Sequence, residues 1–325
     1  MPAVAGVDHR LVTTRRLRMH VAEAGEGDPV LLLHGWPQHW YAWREVFPLL
    51  ATDHRIICPD LRGCGWTDAP RGRYGTATMV DDVLALLDAL ELDRVLLIGH
   101  DIGGRIGFHL CMGAPSRVLG FVALNALHPY WSVRRLAPHA WRYWWTVVVE
   151  TPLLGRTILR RVPAYTRLLF RLGAGDRRAR SGPDIDEFLA ALREPARAAE
   201  RLQGDFAYRE IVPALFGRHR ARMAVPTLML NGTRDFALCA RQLGGHERYA
   251  DDLRVELVPA GGHFLHEERP NLVASMALAH FRSLAASSTV GSTPKTRILD
   301  REAPAPAADG DDDACGVGEA GAQRD

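Results

Sequence analysis

Short apolar runs, bounded by glycine, proline or polar residues, recur along the chain and alternate with segments of helical periodicity. Short runs of this kind are typical of strands that are buried on both faces, as in a parallel sheet. An earlier segment, Arg16–Ala22, alternates polar and apolar residues and favours an antiparallel strand. The apolar runs predict strands at Val30–Leu33, Arg55–Pro59, Val95–Ile98, Val118–Leu124, Val225–Leu230 and Leu253–Val258.

Between these runs lie segments in which apolar residues have the spacing of a helix. The clearest example is Thr78–Leu90, whose apolar residues recur every three or four positions. Further helices are predicted at Tyr41–Leu50, Arg105–Gly113 and Pro270–Leu284. Alternating strands and helices imply parallel βαβ units with right-handed crossovers. The sequence therefore predicts an α/β fold built on a mostly parallel, doubly wound sheet.

The pattern changes between residues 129 and 222. No convincing strand appears there, and helix-like segments rich in Arg, Leu and aromatic residues are interrupted by Pro152, Pro163, Pro183 and Pro195. This segment is predicted to be an all-helical lid, inserted between a first part of the core, 1–128, and a second part, 223–285. From 286 to 325 the composition shifts to Ala, Ser, Gly, Pro and Asp, which predicts a disordered tail.

Composition and charge argue against several classes of protein. The 325 residues are 47% hydrophobic and carry a formal net charge of +2, so no global field favours nucleic acid or an anionic membrane. The dense arginines between Arg156 and Arg180 are interpreted as solvated helix faces. Five scattered cysteines indicate neither a disulfide framework nor a zinc site. Without an apolar stretch of about 18 residues, we expect a cytoplasmic protein that binds neither membrane nor nucleic acid.

One stretch combines a predicted strand with unusual chemistry. The run Val95–Ile98 is followed by Gly-His-Asp-Ile-Gly-Gly, with Asp101 at its centre. A strand, a sharp glycine-bounded turn and a helix form a nucleophile elbow, which leaves one side chain exposed above the sheet beside helix N–H groups. A carboxylate at that position displaces at saturated carbon and gives an alkyl ester that must afterwards be hydrolysed.

Two further polar residues follow predicted strands. Asp235 comes after the strand Val225–Leu230, and His263 comes after Leu253–Val258. The carboxyl ends of parallel strands meet at one edge of a sheet, so Asp101, Asp235 and His263 are expected to lie together. Their order along the chain, nucleophile then acid then base, is that of a hydrolytic triad.

Five motifs in the sequence resemble those of a known family. They are HGWP at His34–Pro37, DLRGCGWTD at Asp60–Asp68, GHDIGG at Gly99–Gly104, NGTRD at Asn231–Asp235 and GGHFLHEERP at Gly261–Pro270. In these motifs the chain resembles the α/β-hydrolase superfamily, and within it the epoxide hydrolases and dehalogenases that use an Asp nucleophile. The resemblance covers roughly Leu17 to Leu284 and is loose only in the lid.

The resemblance implies a two-step mechanism without a metal or cofactor. Asp101 would attack a carbon of a small apolar organic substrate, and His263, oriented by Asp235, would activate the water that hydrolyses the ester. The backbone N–H groups of Trp36 and Ile102 would form the oxyanion hole. A cis bond before Pro37 would aim the N–H of Trp36 inward.

Related epoxide hydrolases use two lid tyrosines to protonate the opening ring. By resemblance the candidates are Tyr143 and Tyr208, while Trp145 and Gln203 are competing positional fits. Trp145 belongs to a cluster of four lid tryptophans that is interpreted as packing between lid and core, or as an aromatic roof over an apolar pocket. Trp36 and Trp145 are predicted to line the substrate pocket.

Dehalogenation is the alternative reaction for the same Asp101. Related haloalkane dehalogenases commonly have Trp where this chain has Ile102, and haloacid dehalogenases have Arg there and three positions later, where only Arg105 matches. A non-catalytic small-ligand receptor of this fold would predict a broken triad. A scaffold protein would find support only in the acidic tail, and the sequence predicts no oligomeric state.

Other polar residues of these motifs are expected to be structural. His34 is predicted to order its own loop, and His100 to be packed and hydrogen-bonded in the elbow. His266 is expected at the surface, at the start of a helix. Asp60 and Arg62 are interpreted as a structural ion pair.

Overall fold

A single eight-stranded sheet organises the protein. The computed structural model describes residues 1–151, 153–175, 182–192 and 221–289. The strands are β1 (Asp8–Thr13), β2 (Arg18–Ala24), β3 (Asp28–Leu33), β4 (His54–Pro59), β5 (Val95–His100), β6 (Val118–Leu124), β7 (Thr227–Gly232) and β8 (Leu253–Val258). Their order across the sheet is β1-β2-β4-β3-β5-β6-β7-β8. The β1–β2 and β2–β4 pairs are antiparallel, and the other neighbours are parallel.

The sheet confirms the predicted architecture, including the early antiparallel strands. Every residue of β5 and of β7 is buried, as the apolar runs require of strands covered on both faces. Two apolar clusters cover the sheet. One contains Ile106 and Leu86 from helices on one face, and the other contains Phe47 and Phe281 from helices on the opposite face.

The core helices are α1 (Phe47–Leu50), α2 (Thr76–Ala89), α3 (Ile102–Gly113), α9 (Leu265–Glu268) and α10 (Pro270–Thr289). The predicted helix at Tyr41–Leu50 is wrong in its continuity, because the chain forms a 3-10 turn at Trp40–Trp43 and then the single turn α1. Pro48 lacks the N–H that a helix running through this segment would need. Helix α3 begins three residues before the predicted Arg105, directly after Asp101.

The regular elements that the structure describes between β6 and β7 are helices. They are α4 (Val133–Leu136), a 3-10 helix (Ala137–Tyr143), α5 (Trp144–Glu150), α6 (Leu154–Arg161), α7 (Pro163–Gly173) and α8 (Gly182–Leu192). Pro163 opens α7, consistent with a predicted helix break, and residue 183 lies in the first turn of α8. Pro152 and Pro195 lie outside the described residues.

The last helix is longer than predicted. It continues past Leu284 to Thr289, so the first four residues assigned to the disordered tail, 286–289, are helical. Ala285 and Ala286 favour continuation of the helix, because alanine has the highest helix propensity. Residues 290–325 lie outside the described part of the chain. Of the helices that the structure describes, none is both long and apolar enough to cross a membrane.

Candidate active site

Asp101 occupies a sharp turn between β5 and α3. Its backbone has φ 48° and ψ −111°, a conformation that is costly for a residue with a side chain. The flanking glycines have a steric reason: a Cβ on Gly103 would lie 2.2 Å from the carbonyl oxygen of Leu33, and one on Gly99 would lie 2.5 Å from that of Gly103. The turn therefore has the geometry predicted for a nucleophile elbow.

Two backbone N–H groups point at the Asp101 carboxylate. The N–H of Trp36 donates to Oδ2 at 3.0 Å, and the N–H of Ile102 also donates to the carboxylate. The peptide bond between Trp36 and Pro37 is cis, as predicted. Burial raises the pKa of Asp101, and His263, these N–H groups and Arg105 offset the rise only in part. Both donors predicted for the oxyanion hole thus lie at Asp101.

His263 and Asp235 form a buried pair behind Asp101. Nδ1 of His263 lies 2.9 Å from Oδ2 of Asp235, and the backbone N–H groups of Ala237 and Leu238 donate to Oδ1 at 2.8 and 3.1 Å. Burial opposes ionisation of Asp235, but His263 and these donors outweigh it and lower the pKa of Asp235. Burial also lowers the pKa of His263, yet the charges of Asp235 and Asp101 outweigh it, and that pKa is raised.

Asn125 is a partner of Asp235 that the sequence reasoning missed. Its Nδ2 donates to Oδ2 of Asp235 at 2.7 Å and to the carbonyl oxygen of Gly262 at 3.1 Å. Asn125 follows β6 directly and has φ 44°, a region that asparagine tolerates better than most residues. A signal was present, because Asn125 is a polar residue at the end of a predicted parallel strand, as Asp101 and Asp235 are.

Arg142 connects the helical insertion to the same loop. Its Nη2 donates to the backbone carbonyl oxygen of Asp235 at 2.5 Å. Nothing in the sequence distinguishes this arginine from the many others near it. The contact ties the 3-10 helix Ala137–Tyr143 to the loop that follows β7.

The neighbouring histidines have structural contacts. Nε2 of His100 contacts the carbonyl oxygen of His263 at 2.9 Å, and Nε2 of His34 accepts from the N–H of Leu61 at 2.9 Å, which agrees with their predicted packing roles. The surface position predicted for His266 is wrong. Its ring is fully buried between Trp43 and His100, with centroid distances of 4.6 and 4.3 Å, because α9 packs against the Trp40–Trp43 turn.

The predicted ion pair between Asp60 and Arg62 is also wrong. The Asp60 carboxylate contacts Nδ1 of His20 at 2.7 Å and accepts the N–H groups of Trp40 and Trp66. Arg62 instead donates to the Asp82 carboxylate at 2.5 and 2.6 Å. Asp60 and Arg62 are only two positions apart, but their side chains contact different partners. Proximity in the sequence therefore did not imply contact.

A series of aromatic rings packs from Trp36 to His263. The indoles of Trp36 and Trp145 stack with centroids 5.5 Å apart, so the two residues predicted to line a pocket are brought together. Phe236, which the sequence reasoning missed, packs against Trp145 at 6.0 Å and against His263 at 5.6 Å. The buried Nε1 atoms of Trp36 and Trp145 have no hydrogen-bond partner among the described residues.

Three tyrosines of the insertion are described. Tyr165 donates to the carbonyl oxygen of Trp145 at 2.7 Å, and Tyr130 donates to that of Ala221 at 2.9 Å. The Tyr143 hydroxyl accepts a hydrogen bond from Nε2 of Gln242 at 3.2 Å, which leaves its own proton available, and burial raises its pKa. Tyr208 and Gln203 lie outside the described residues.

Known proteins resemble the chain across this whole arrangement. The family model of the alpha/beta hydrolase fold matches residues 28–270. The AB hydrolase superfamily protein YfhM of Bacillus subtilis is 28% identical over 287 residues, which cover 86% of this chain and 99% of that protein. Fluoroacetate dehalogenase of a Burkholderia species is 29% identical over 281 residues, 82% of this chain and 91% of the relative.

Some epoxide hydrolases are more similar over a shorter part of the chain. Epoxide hydrolase 2 of Siraitia grosvenorii is 42% identical over 122 residues, which span 37% of this chain and 39% of that enzyme. Among solved structures, epoxide hydrolase CorEH superposes with a TM-score of 0.74 at 26% identity, covering 86% of this chain and 99% of the other. Cfl2 of Burkholderia cenocepacia gives 0.76 at 28% identity, with coverages of 87% and 98%. The chain belongs to the α/β-hydrolase superfamily, in its epoxide hydrolase-like branch.

Proposed function

We propose that the protein is an epoxide hydrolase, which opens an epoxide to a vicinal diol through an alkyl ester on Asp101. The observation that carries the proposal is the Asp101 carboxylate itself, at the elbow, with the Trp36 N–H on Oδ2 and the charge of His263 close by. A carboxylate is ionised at neutral pH and needs no base to become a nucleophile, so His263 remains free for a water molecule.

The first step is alkylation of Asp101. A carboxylate oxygen forms a bond to one epoxide carbon, the bond from that carbon to the ring oxygen breaks, and its electron pair passes to the oxygen. A lid tyrosine then gives its proton to the alkoxide, and the candidates are Tyr143 and Tyr208. Support for Tyr143 comes from its hydroxyl, which accepts from Gln242 and keeps its proton for a substrate. Proton transfer of this kind typically accelerates a reaction about 10² to 10⁴-fold.

The second step is hydrolysis of the ester. His263 Nε2 takes a proton from water while the water oxygen attacks the ester carbonyl carbon, and Asp235 at Nδ1 stabilises the imidazolium. The backbone N–H groups of Trp36 and Ile102 bind the oxyanion, an interaction worth about 3 kcal/mol per donor. When the intermediate collapses, the bond to the diol oxygen breaks and His263 returns its proton to that oxygen. The second proton of the water, left on the Asp101 carboxyl group, passes to solvent while the tyrosinate takes one up, so that the carboxylate, the tyrosine and His263 all return to their starting states.

The helical insertion serves as a lid in this proposal. Trp145 on α5 stacks on Trp36, and Phe236 packs beside both Trp145 and His263. These rings give the approach to Asp101 an apolar and aromatic lining, which suits a small apolar organic substrate. A closed lid would also exclude bulk water and so favour attack by Asp101 over direct hydrolysis.

Dehalogenation is the second candidate, and a specific observation favours it. The buried indole N–H groups of Trp36 and Trp145 have no partner among the described residues, and two such donors near a nucleophile could hold a leaving halide. Against this stands Ile102, which supplies neither the indole nor the guanidinium that related dehalogenases carry beside the nucleophile. Epoxide hydrolysis therefore remains the first proposal.

A product panel distinguishes the two reactions. Purified protein is incubated separately with aryl and alkyl epoxides, haloalkanes and haloacetates, and diol formation and halide release are measured in parallel. We expect diol from at least one epoxide class, with no diol above background from the Asp101→Asn variant. Halide release without diol formation would overturn the proposal in favour of dehalogenation.

A further inference from the structure

Exposed apolar side chains are concentrated on the helical insertion. Among the described residues, eight of the thirteen large apolar side chains that are exposed lie between Val133 and Leu168. The most exposed of them are Trp141 at 58%, Val147 at 65% and Leu153 at 66%, and Trp144 follows at 47%. Single exposed apolar residues are ordinary, but a contiguous group marks an interaction surface.

These residues belong to consecutive, mutually packed elements. The 3-10 helix Ala137–Tyr143 packs against α4 and α5, and α5 packs against α6. On α5 the buried residues are Trp145 and Val149, whereas Trp144 and Val147, one turn apart, face outward. We call the exposed side chains of Trp141, Trp144, Val147 and Leu153 the outer apolar surface.

Leu153 adds a conformational observation. Its backbone has φ 68°, in the left-handed region that leucine rarely adopts. Leu153 is the N-cap residue of α6, where its carbonyl oxygen accepts from the backbone N–H and the hydroxyl of Thr157. This conformation leaves 66% of Leu153 exposed to solvent.

The same segment carries a strong local charge. Residues 133–173 contain eight arginines and a single acidic residue, Glu150, in a chain whose formal net charge is only +2. The arginines are Arg134, Arg135, Arg142, Arg156, Arg160, Arg161, Arg167 and Arg171. Arg167 has a local counter-ion in Asp186, while Arg134, Arg135, Arg160 and Arg161 are exposed and form no ion pair with a carboxylate in the described ranges. The outer apolar surface is therefore bordered by positive charge.

A basic cleft adjoins the outer apolar surface. It has a volume of about 750 Å³ and is lined by Ser132, Arg134, Arg135, Pro138, His139 and Arg241. The Arg135 guanidinium lies against the backbone at Gly244, where a Cβ would come within 2.5 Å of Nη1. No lining residue is acidic, so the cleft fits an anionic group, for which arginine is the preferred partner.

The combination of exposed apolar side chains and arginines favours one class of partner. A symmetric dimer through this surface would bring arginine against arginine, which like-charge repulsion opposes. A nucleic acid would use the arginines and could stack on Trp141 or Trp144, but it has no use for aliphatic Val147 and Leu153. Tryptophan, aliphatic and arginine side chains on one face are the composition of a surface that lies in the interface of an anionic bilayer.

We propose that the outer apolar surface and the basic cleft dock the protein reversibly onto anionic lipid surfaces. The apolar side chains enter the headgroup boundary, and the arginines contact lipid phosphates. This assigns a partner that the near-neutral net charge of the whole chain had argued against. Trp145, on the inner side of α5, stacks on Trp36. Docking therefore brings α5 to the lipid phase, in which apolar molecules dissolve. The proposal does not depend on the reaction catalysed.

Vesicle flotation of the full chain without substrate tests it. We expect the protein to float with vesicles of phosphatidylcholine mixed with phosphatidylglycerol, and about tenfold less with phosphatidylcholine alone or at high salt. The double variant Trp144→Ser/Val147→Ser and the variant Arg134→Gln/Arg135→Gln should each weaken anionic-vesicle binding by about tenfold or more. The matched control is Leu257→Ser/Leu272→Ser, which removes exposed apolar residues of the core and should bind as the unaltered protein does.

Circular dichroism and thermal melting establish that each variant is folded before flotation. Absence of binding to anionic vesicles by the unaltered protein would overturn the proposal. Equal loss of binding in the core control and in the surface variants would also overturn it. So would a salt-resistant dimer that disappears in Trp144→Ser/Val147→Ser, or tighter binding to a single-stranded oligonucleotide than to anionic vesicles.

Discussion

The indole of Trp145 stacks on that of Trp36, 5.5 Å between centroids, and the backbone N–H of Trp36 donates to the Asp101 carboxylate at 3.0 Å. The helical insertion is thus connected to the proposed nucleophile through one residue. Tyr143, two positions earlier in the chain, bonds instead with Gln242 in the 3-10 turn Ala240–Gln242. Trp145 and Tyr143, two candidates for contact with substrate, therefore have different surroundings. Mutation can test the role of each one separately.

Replacing Tyr143 by Phe tests its role as ring-opening acid. We expect the rate of ester formation with an epoxide to fall about 10² to 10⁴-fold, because the alkoxide loses its proton donor. Rapid-quench measurement of the alkylated protein checks this in a single turnover. The control is Tyr165→Phe, whose hydroxyl donates to the Trp145 carbonyl and should affect alkylation less. An unchanged alkylation rate in Tyr143→Phe would assign the acid to another residue.

Replacing Asn125 by Gly, which tolerates the φ of 44° at this position, tests its contact with Asp235. The variant removes the donor at 2.7 Å from Oδ2, so Asp235 holds the His263 ring less firmly and stabilises its charge less well. We expect ester hydrolysis to slow by about tenfold or more while alkylation is nearly unchanged, so that the ester accumulates. Equal slowing of both steps would point to a general structural defect rather than to positioning of Asp235.

The two steps should differ in pH dependence. Burial raises the pKa of Asp101 above the usual value of about 3.9, so alkylation is lost as pH falls through that raised pKa. Burial alone would lower the pKa of His263, but Asp235 and Asp101 raise it above about 6.5, and the ring must be neutral to accept a proton. Hydrolysis should therefore increase as pH rises through the pKa of His263.

The ester adds a further expectation for His263. Alkylation removes the charge of Asp101, one of the groups that raise the His263 pKa, so that pKa should be lower in the intermediate than in the free protein. The pH dependence of ester hydrolysis, measured by rapid quench, reports the His263 pKa in the intermediate. NMR titration of His263 reports its pKa in the free protein, and the two values can be compared. A higher pKa in the intermediate would contradict the placement of the ester on Asp101.

Gly103→Ala tests the packing of the elbow. Its Cβ would meet the Leu33 carbonyl at 2.2 Å, a backbone contact that cannot yield by rotamer change. We expect the free energy of unfolding to fall by more than about 2 kcal/mol, as overpacking of a core site does. Gly113→Ala in the same helix is the matched control, because no atom lies within 4 Å of its Cβ. Denaturant unfolding of both variants checks the difference, and equal stabilities would contradict the geometry of the turn.

Sequence patterns were most informative where one local rule decides the outcome. The apolar run of β5 and the glycines around Asp101 predicted a strand and a sharp turn, because burial on two faces and close backbone approach leave few alternatives. Strand ends also predicted that Asp235 and His263 meet, and they lie 2.9 Å apart. The same rule could have found Asn125, which directly follows a predicted parallel strand.

The predictions about the site that were wrong concern contacts between distant segments of the chain. His266 was expected at the surface, but the packing of α9 against the Trp40–Trp43 turn buries it completely. Arg62 pairs with Asp82 on α2 rather than with Asp60, because the loop turns their side chains apart. No periodicity or spacing encodes such choices, since they depend on how loops from different strands fit together. The helical insertion is the extreme case, because only its helical character could be predicted.

Trapping the ester tests the central claim most directly. The His263→Gln variant should alkylate Asp101 with an accepted epoxide but fail to hydrolyse the ester, since no base remains to activate water. Mass spectrometry of the peptide that contains Asp101 should then show a gain equal to the mass of the epoxide, and His263→Gln/Asp101→Asn should show no gain. Diol formation by Asp101→Asn, or the absence of any adduct in His263→Gln with an epoxide that the unaltered protein converts to diol, would contradict the covalent mechanism.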